Sequence, residues 1–398
     1  MNILQIHNDY KILGGETKVV ENEKKLLEYH GHNVTQFLDE NIRIDKFDFL
    51  DRIKFFKNAF FDHQQYLKLK AQIKKVCPDI IHVHNVFPLI SPSAYYAAHE
   101  ANVPVVQTIH NFRFLCPNGL FLRNNEICEL CKNGSYFNAI KYRCYKDSFV
   151  FSSLYACSIK YHRVKKTFYD KIDVLIALSA FSKNKLIEGG FSAKKIIIKP
   201  NFLSYNHSSS SLKIKDNYFI FIGRLSKEKG IHTLLHAAKA LPEQQIKIIG
   251  NGEELDYINR FISLNKLTNI SVLGFLDGQE KYNLIQKAKS LIFPSVWYEN
   301  FPITILESYL SGTPVIASNI GSLPEIVNNN RTGLLFKSGD SYELAAKLKW
   351  AIDHPEEMKQ MGINARKEFE EKYTAKRNYQ MLIDIYKKAI ENKNIKNS

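Results

Sequence analysis

The stretch Ser290–Gly312, SLIFPSVWYENFPITILESYLSG, passes from one apolar run through a turn into another. Ser290–Phe293 has the look of a short buried strand. Pro302 suits the first helical position, because proline fixes φ and its missing N–H would be unpaired there in any case. Ile303 to Leu310 then reads as helix, and Ser311-Gly312 closes it as a C-terminal glycine does. Glu299 therefore lies just ahead of a helix N-terminus and Glu307 inside the helix. The free N–H groups and the positive dipole end between the two acids suit a phosphate. A ligand with hydroxyls at both ends and a diphosphate in the middle fits such a piece.

Outward from this stretch the same alternation recurs. Strands are expected at Asn2–His7, Asn33–Leu38, Ile80–Val83, Val105–Thr108, Val174–Leu178 and Ile196–Lys199, with a helix over Thr17–Tyr29. A serine-rich polar stretch, residues 203–216, interrupts the pattern. Beyond it strands are expected at Tyr218–Ile222, Gln245–Ile249, Ile270–Leu273, Ser290–Phe293 and Pro314–Ala317. Helices fall between them at 230–240, 253–264, 278–288 and 322–328. Two further helices, 341–353 and about 356–392, lack strand partners. This is α/β: two Rossmann-like, doubly wound parallel-sheet domains facing across a cleft. The boundaries read as 1–202, a linker at 203–216, 217–375, and a helix at 376–398 that crosses back to the N-terminal domain. Ligands in such sheets bind beyond the carboxyl ends of the strands, where Glu299 and Glu307 lie.

At 398 residues and 45% apolar content the chain supports two ordinary cores. No stretch approaches the ~18 to 20 continuous apolar residues that span a bilayer. The N-terminus lacks the pattern of a signal peptide, so a cytoplasmic location is expected, with reduced cysteines unless they hold a metal. The net charge of +15 is concentrated in residues 1–200, with 29 Lys and Arg against 19 Asp and Glu. Lys132 to Lys171 alone carries nine basic residues and two acids among many aromatics, which points to an anionic surface.

In Phe221-Ile-Gly-Arg-Leu-Ser-Lys-Glu-Lys-Gly230 a strand ends at Gly223-Arg224, and Lys229-Gly230 opens the next helix. Two cations at a strand-to-helix turn neutralise a diphosphate, Arg224 by bidentate contact and Lys229 as a point charge. A solvated basic turn has the same composition; the glutamates on a neighbouring strand edge favour the phosphate. Gly14-Gly15 after the first strand is either a tight turn or a place where backbone N–H groups approach a phosphate.

Taken in register, Gly14-Gly15, His110 in Thr-Ile-His-Asn, Gly223-Arg224 with Lys229-Gly230, Gly250-Asn-Gly-Glu, Gly274-Phe275, Glu299 with Glu307, Gly312-Thr-Pro-Val and Gly321-Ser-Leu-Pro-Glu resemble the GT-B-fold glycosyltransferases of family 4, a retaining group that uses sugar nucleotides. The resemblance covers essentially the whole chain. It implies that Glu307 binds the ribose hydroxyls and that Glu299 contacts the donor sugar near the reaction centre. It implies too that the backbone around Asn300, Phe301, Ile303 and Thr304 faces sugar and phosphate, that Phe275-Leu276 frames the base, and that His110 orients the reacting hydroxyls. The implied donor is a nucleoside-diphosphate sugar. The acceptor is a glycan, plausible as a lipid-linked saccharide of bacterial polysaccharide or lipopolysaccharide assembly. No Asp-x-Asp stands in the usual metal-dependent pattern, so no cofactor is expected for catalysis. A GT-B sugar-nucleotide epimerase is the nearest enzymatic alternative. A basic, zinc-bearing nucleic-acid-binding protein is the alternative from another class, and two full α/β domains fit it poorly.

Cys116, Cys128, Cys131 and Cys144 are spaced C-x11-C-x2-C-x12-C within an insertion at about 111–170. Four thiolates with one CxxC suit a tetrahedral structural zinc, or they are four reduced cysteines in an insertion; an iron–sulfur cluster fits less well, since the spacing matches neither common ferredoxin pattern. Residues 53–69 carry Phe55, Phe56, Phe60, Phe61 and Tyr66 among lysines. A helix there presents an apolar face bordered by lysines, which either rests at a membrane surface or packs on its own domain.

Overall fold

The computed structural model describes residues 1–9, 15–41, 54–55, 57–204 and 215–397. The chain forms two compact units. The first draws on residues up to Phe121, on Cys128–Ser204 and on the helix Ala375–Asn397; the second draws on Leu122–Ile127 and on the described residues from 215 to 374.

In the first unit, strands β1 (Asn2–Asp9), β2 (Asn33–Glu40), β3 (Ile80–Asn85) and β4 (Val105–Ile109) are followed by β7 (Val174–Ala177) and β8 (Ile196–Ile198); between β4 and β7 in sequence comes the short antiparallel pair β5 (Leu122–Arg123) and β6 (Glu126–Ile127), which is grouped with the second unit. The order across the sheet is β2-β1-β3-β4-β7-β8, parallel throughout. Every residue of β3 and β4 is buried, as expected of parallel strands covered on both faces. One cover is the helix Ala375–Asn397, whose Leu382, Ile385, Tyr386 and Ala389 pack on Ile3, Leu27, Ile80, Val106 and Ile176.

The second unit has β9 (Tyr218–Ile222), β10 (Gln245–Ile249), β11 (Ile270–Val272), β12 (Leu291–Phe293), β13 (Val315–Ser318) and β14 (Gly333–Phe336), in the parallel order β11-β10-β9-β12-β13-β14. Its core joins Phe219, Phe221, Ile246, Ile248, Ile292 and Ile316 of the sheet to Leu234, Leu235, Leu344 and Leu348 of the flanking helices.

Three elements differ from the sequence reading: β14, the C-terminal helix and the position of Pro302. The edge strand β14 follows a polar turn and is not among the strands expected; Gly333 is required there because a Cβ would lie 2.0 Å from the Val315 carbonyl oxygen. The long C-terminal helix is two, Pro355–Lys372 and Ala375–Asn397, broken where Tyr373 leaves helical geometry (φ −118°, ψ 14°). Only the second of them belongs with the first unit, and helix Ser341–Asp353 stays in the second. Pro302 caps its helix in an extended conformation (φ −74°, ψ 121°) rather than occupying the first turn.

The helix expected over 53–69 is also different. A separate helix, His63–Val76, begins at Asp62, whose carboxylate accepts from the Gln65 N–H at 3.0 Å. Phe55 and Ala59 turn inward onto Leu154, so these apolar groups pack on their own unit; Phe56 lies outside the described residues.

Candidate active site

In the second unit the strand order reverses direction between β9 and β12, so the chain leaves these neighbours toward opposite faces and opens a crevice at their carboxyl ends. Gly223-Arg224 follows β9 and the loop bearing Glu299 follows β12, which puts both candidate motifs at that crevice. Gly230 makes the approach possible. It sits at φ +73°, and a Cβ would fall 1.7 Å from the Pro294 carbonyl oxygen, so only glycine lets the turn carrying Lys229 lie against the end of β12. Gly250, at φ +148°, closes the β10 loop on Gly223 in the same way, its Cβ position being 1.9 Å from the Gly223 carbonyl oxygen.

The consequence is an ion pair: Lys229 Nζ lies 2.6 Å from Glu299 Oε1. The same oxygen accepts from the Ser295 hydroxyl and from Trp297 Nε1, each at 2.8 Å, while Oε2 has no partner among the described residues. Ser322 donates to the Glu299 carbonyl at 2.6 Å, and the Lys229 ammonium sits 5.1 Å from the Trp297 ring centre. Glu299 is thus buried, charged and rigidly held.

Glu307, also buried, is paired with Lys281 at 2.6 Å; Lys281 in turn reaches Asp277 at 3.3 Å. Helix Ile303–Leu310 begins with no side chain capping it, so the N–H groups of Ile303 and Thr304 stand at a free positive end. Asn300 and Phe301 just before it are buried. Arg224 is half exposed and bonded to Glu228 at 2.7 Å. Burial works to raise the Glu228 carboxyl, but the Ser226 hydroxyl and Arg224 outweigh it and hold the group below the usual carboxylate range. Phe275 is largely exposed, on the loop after β11 whose Gly274 carbonyl accepts from the Gly250 N–H at 2.8 Å, and Leu276 beside it is half-buried. Lys281, Ser295 and Trp297 were not singled out by the sequence. The spacing Asp277 to Lys281, one helical turn, and a tryptophan two residues before Glu299 were the available signals.

In the first unit Gly15 opens the helix Gly15–Tyr29, and Gly14 lies outside the described residues. His110 follows β4 and lines a small recess with His84, Asn111 and Arg113. His110 Nε2 meets His84 Nδ1 at 3.0 Å. Behind them Glu23 is bonded through Oε1 to Lys199 Nζ at 2.7 Å, and its Oε2 stands 3.5 Å from His84 Nε2 and 3.6 Å from His82 Nδ1. Burial pushes His84 and His110 well below the usual imidazole range and His82 down to about 4. The sequence reading singled out His110 alone of this group.

The four cysteines are all free thiols within one neighbourhood. Burial, and then the proximity of Cys116, Cys144 and Cys128, push the Cys131 thiol up to about 12. Among the described residues the set of three or more metal-type ligand atoms lying mutually within 4.8 Å is Glu23, His82 and His84, so a thiolate cage requires the sulfurs to draw closer. No helix among the described residues is long and apolar enough to cross a membrane.

Two parallel α/β units of this topology, with the pairing of acid and cation at a strand-order switch point, define a GT-B-type protein. Residues 13–206 match the model of Glycosyltransferase Family 4, and residues 205–368 match that of Glycosyl transferases group 1. The chain belongs to these GT-B glycosyltransferases. It is 26% identical over 380 residues to an uncharacterised glycosyltransferase of Methanocaldococcus jannaschii, covering 94% of each chain. It is 30% identical over 184 residues to O-antigen chain mannosyltransferase C of Escherichia coli, a match spanning 45% of this chain and about half (49%) of that one. The crystal structure of HepE from Anabaena in complex with UDP shares the fold, with a TM-score of 0.69, 19% identity and coverage of 96% and 99% of the two chains.

Proposed function

We propose that this protein is a retaining, metal-independent glycosyltransferase that moves a sugar from a nucleoside-diphosphate donor to a glycan acceptor in bacterial surface-polysaccharide assembly. The observation that carries this reading is the Lys229–Glu299 pair at the β9/β12 switch point, beside an uncapped helix end and the Lys281–Glu307 pair. Glu299 Oε2 accepts a donor-sugar hydroxyl, and Glu307 accepts the ribose hydroxyls. Lys229, Arg224 and the helix end meet the diphosphate. The UDP of the HepE complex and the O-antigen role in the Escherichia coli relative's name support the donor class and the setting.

As the bond from the anomeric carbon to the diphosphate breaks, negative charge gathers on the departing oxygen, where fixed cations and helix N–H groups stabilise it most. The acceptor hydroxyl bonds to the anomeric carbon on the same face, and its proton passes to the departing diphosphate. No protein nucleophile takes part. Incubation with a panel of sugar nucleotides and glycan acceptors in EDTA, followed by NMR of the product, tests this. An α-linked product from an α-linked donor is expected. A β-linked product overturns retention, and activity that returns only with added Mg²⁺ overturns metal independence.

The same reading places the enzyme at the cytoplasmic face of a membrane. Val150, Tyr161 and Val164 recur on one side of helix Phe149–Val164 and are exposed, as are Phe137 and Phe149, with Lys141, Lys160 and Lys165 nearby in sequence. Exposed apolar and basic groups together suit anionic lipid. A structural zinc on Cys116, Cys128, Cys131 and Cys144 is proposed as well: burial, and then the neighbouring sulfurs, hold the Cys131 thiol up, and a cation among the four would offset both.

A further inference from the structure

We propose that Glu23 and His84 are positioning residues that fix the tautomer of His110, leaving its Nδ1 as a lone pair that accepts a hydrogen bond from a reacting hydroxyl; this rests on the role given to His110 above. Glu23, His82 and Lys199 are inaccessible to solvent and His84 nearly so. The 2.7 Å contact with the Lys199 ammonium makes Glu23 a carboxylate, and a carboxylate only accepts hydrogen bonds.

The logic then runs outward one proton at a time. Glu23 Oε2 and His84 Nε2 face each other at 3.5 Å, both buried and neither otherwise hydrogen-bonded. A bare nitrogen there would set two lone pairs against each other in a medium of low polarity. His84 therefore carries its single proton on Nε2, and its Nδ1 accepts. The 3.0 Å contact with His110 Nε2 needs one proton, which His110 must supply, so His110 Nδ1 is left bare. No described residue bonds that atom. A ligand that brings a hydroxyl to that atom is accepted, and one that brings only lone pairs to it is rejected. The same three ligand atoms would also frame a cation. Lys199 already supplies the positive charge on Glu23, however, and the Tyr386 hydroxyl holds His82 Nδ1 at 2.7 Å.

The test is ¹⁵N-histidine NMR of the full chain, with the His110 signals identified by their loss in His110→Asn. Wild type is expected to show His110 protonated on Nε2 and bare on Nδ1. In Glu23→Gln the new amide must turn its oxygen to Lys199, which only donates, and its NH₂ to His84. Both tautomers then reverse, and turnover falls about tenfold or more while UDP affinity stays within about twofold, since a wrong tautomer leaves geometry intact. Glu23→Leu with Lys199→Met removes the pair together, retains the fold, and leaves His110 in both tautomers. A proton on Nδ1 in wild type, an unchanged tautomer in Glu23→Gln, or a stoichiometric metal ion lost in Glu23→Gln overturns the proposal. The NMR readout decides it even if no sugar nucleotide proves to be a donor, so its failure is distinct from failure of the proposed function.

Discussion

Replacing Lys229 with methionine isolates the switch-point pair. The side chain keeps its length and loses its charge, leaving Glu299 buried with the Ser295 and Trp297 donors still on Oε1. Breaking a buried ion pair by removing one partner costs about 3–5 kcal/mol, and a charge-assisted hydrogen bond about 1.5–3. Two remaining donors and the one-fifth exposure of the Lys229 side chain place the stability loss in the lower range. Loss of a fixed cation from the departing diphosphate adds about 2.7–4 kcal/mol to the barrier, a fall in kcat of about 10² to 10³. Adding Glu299→Gln removes the orphaned charge, so the double variant recovers most of the stability and none of the turnover. Thermal denaturation and initial rates on the four proteins read both effects. Wild-type turnover in Lys229→Met, or strictly additive losses of stability in the double variant, refutes the reasoning.

Glu307→Gln leaves Lys281 with Asp277 as its remaining charged partner and removes a ribose acceptor, so affinity for nucleoside diphosphates by calorimetry should fall about tenfold with the fold intact; unchanged affinity across a panel of bases removes the ribose role. The first unit should lose stability as pH falls from about 6.5 to 4, because His82 and His162, both held down to about 4 by burial, stay neutral when folded and take up protons when unfolded. Glu16, raised by burial to about 7, has the opposite slope above pH 4.5, so His162→Gln should flatten the acid loss seen in thermal midpoints and Glu16→Gln should steepen it. Cosedimentation with vesicles containing anionic lipid should capture the protein, and Val150→Glu with Val164→Glu should release it. Elemental analysis should find one zinc per chain in gently purified protein and none in Cys131→Ser.

Most of the fold was written in periodicity. Tyr218–Ile222 and Gln245–Ile249 are apolar runs bounded by turns, and they are strands with those bounds. β14 follows the polar run Asn328–Thr332, which reads as the start of a loop, and the helical period runs on through Tyr373 even though the domain boundary at 375 lies beside the break. The motif residues could be named because glycines and charges punctuate strand ends. Their partners could not: Lys281 meets Glu307, and Lys199 meets Glu23 across 176 residues of sequence, through packing that no local spacing encodes. The aromatic run near Phe55 left two readings open for the same reason, since inward and outward apolar faces have one composition, and Phe55 and Ala59 pack inward.

A crystal structure of the protein with a bound nucleoside diphosphate tests the central claim most directly. The account predicts the ribose hydroxyls on Glu307 and the terminal phosphate on Lys229 and Arg224 at the start of helix Ile303–Leu310. A nucleotide seated away from the β9/β12 switch point, with Lys229 still bonded only to Glu299, contradicts it.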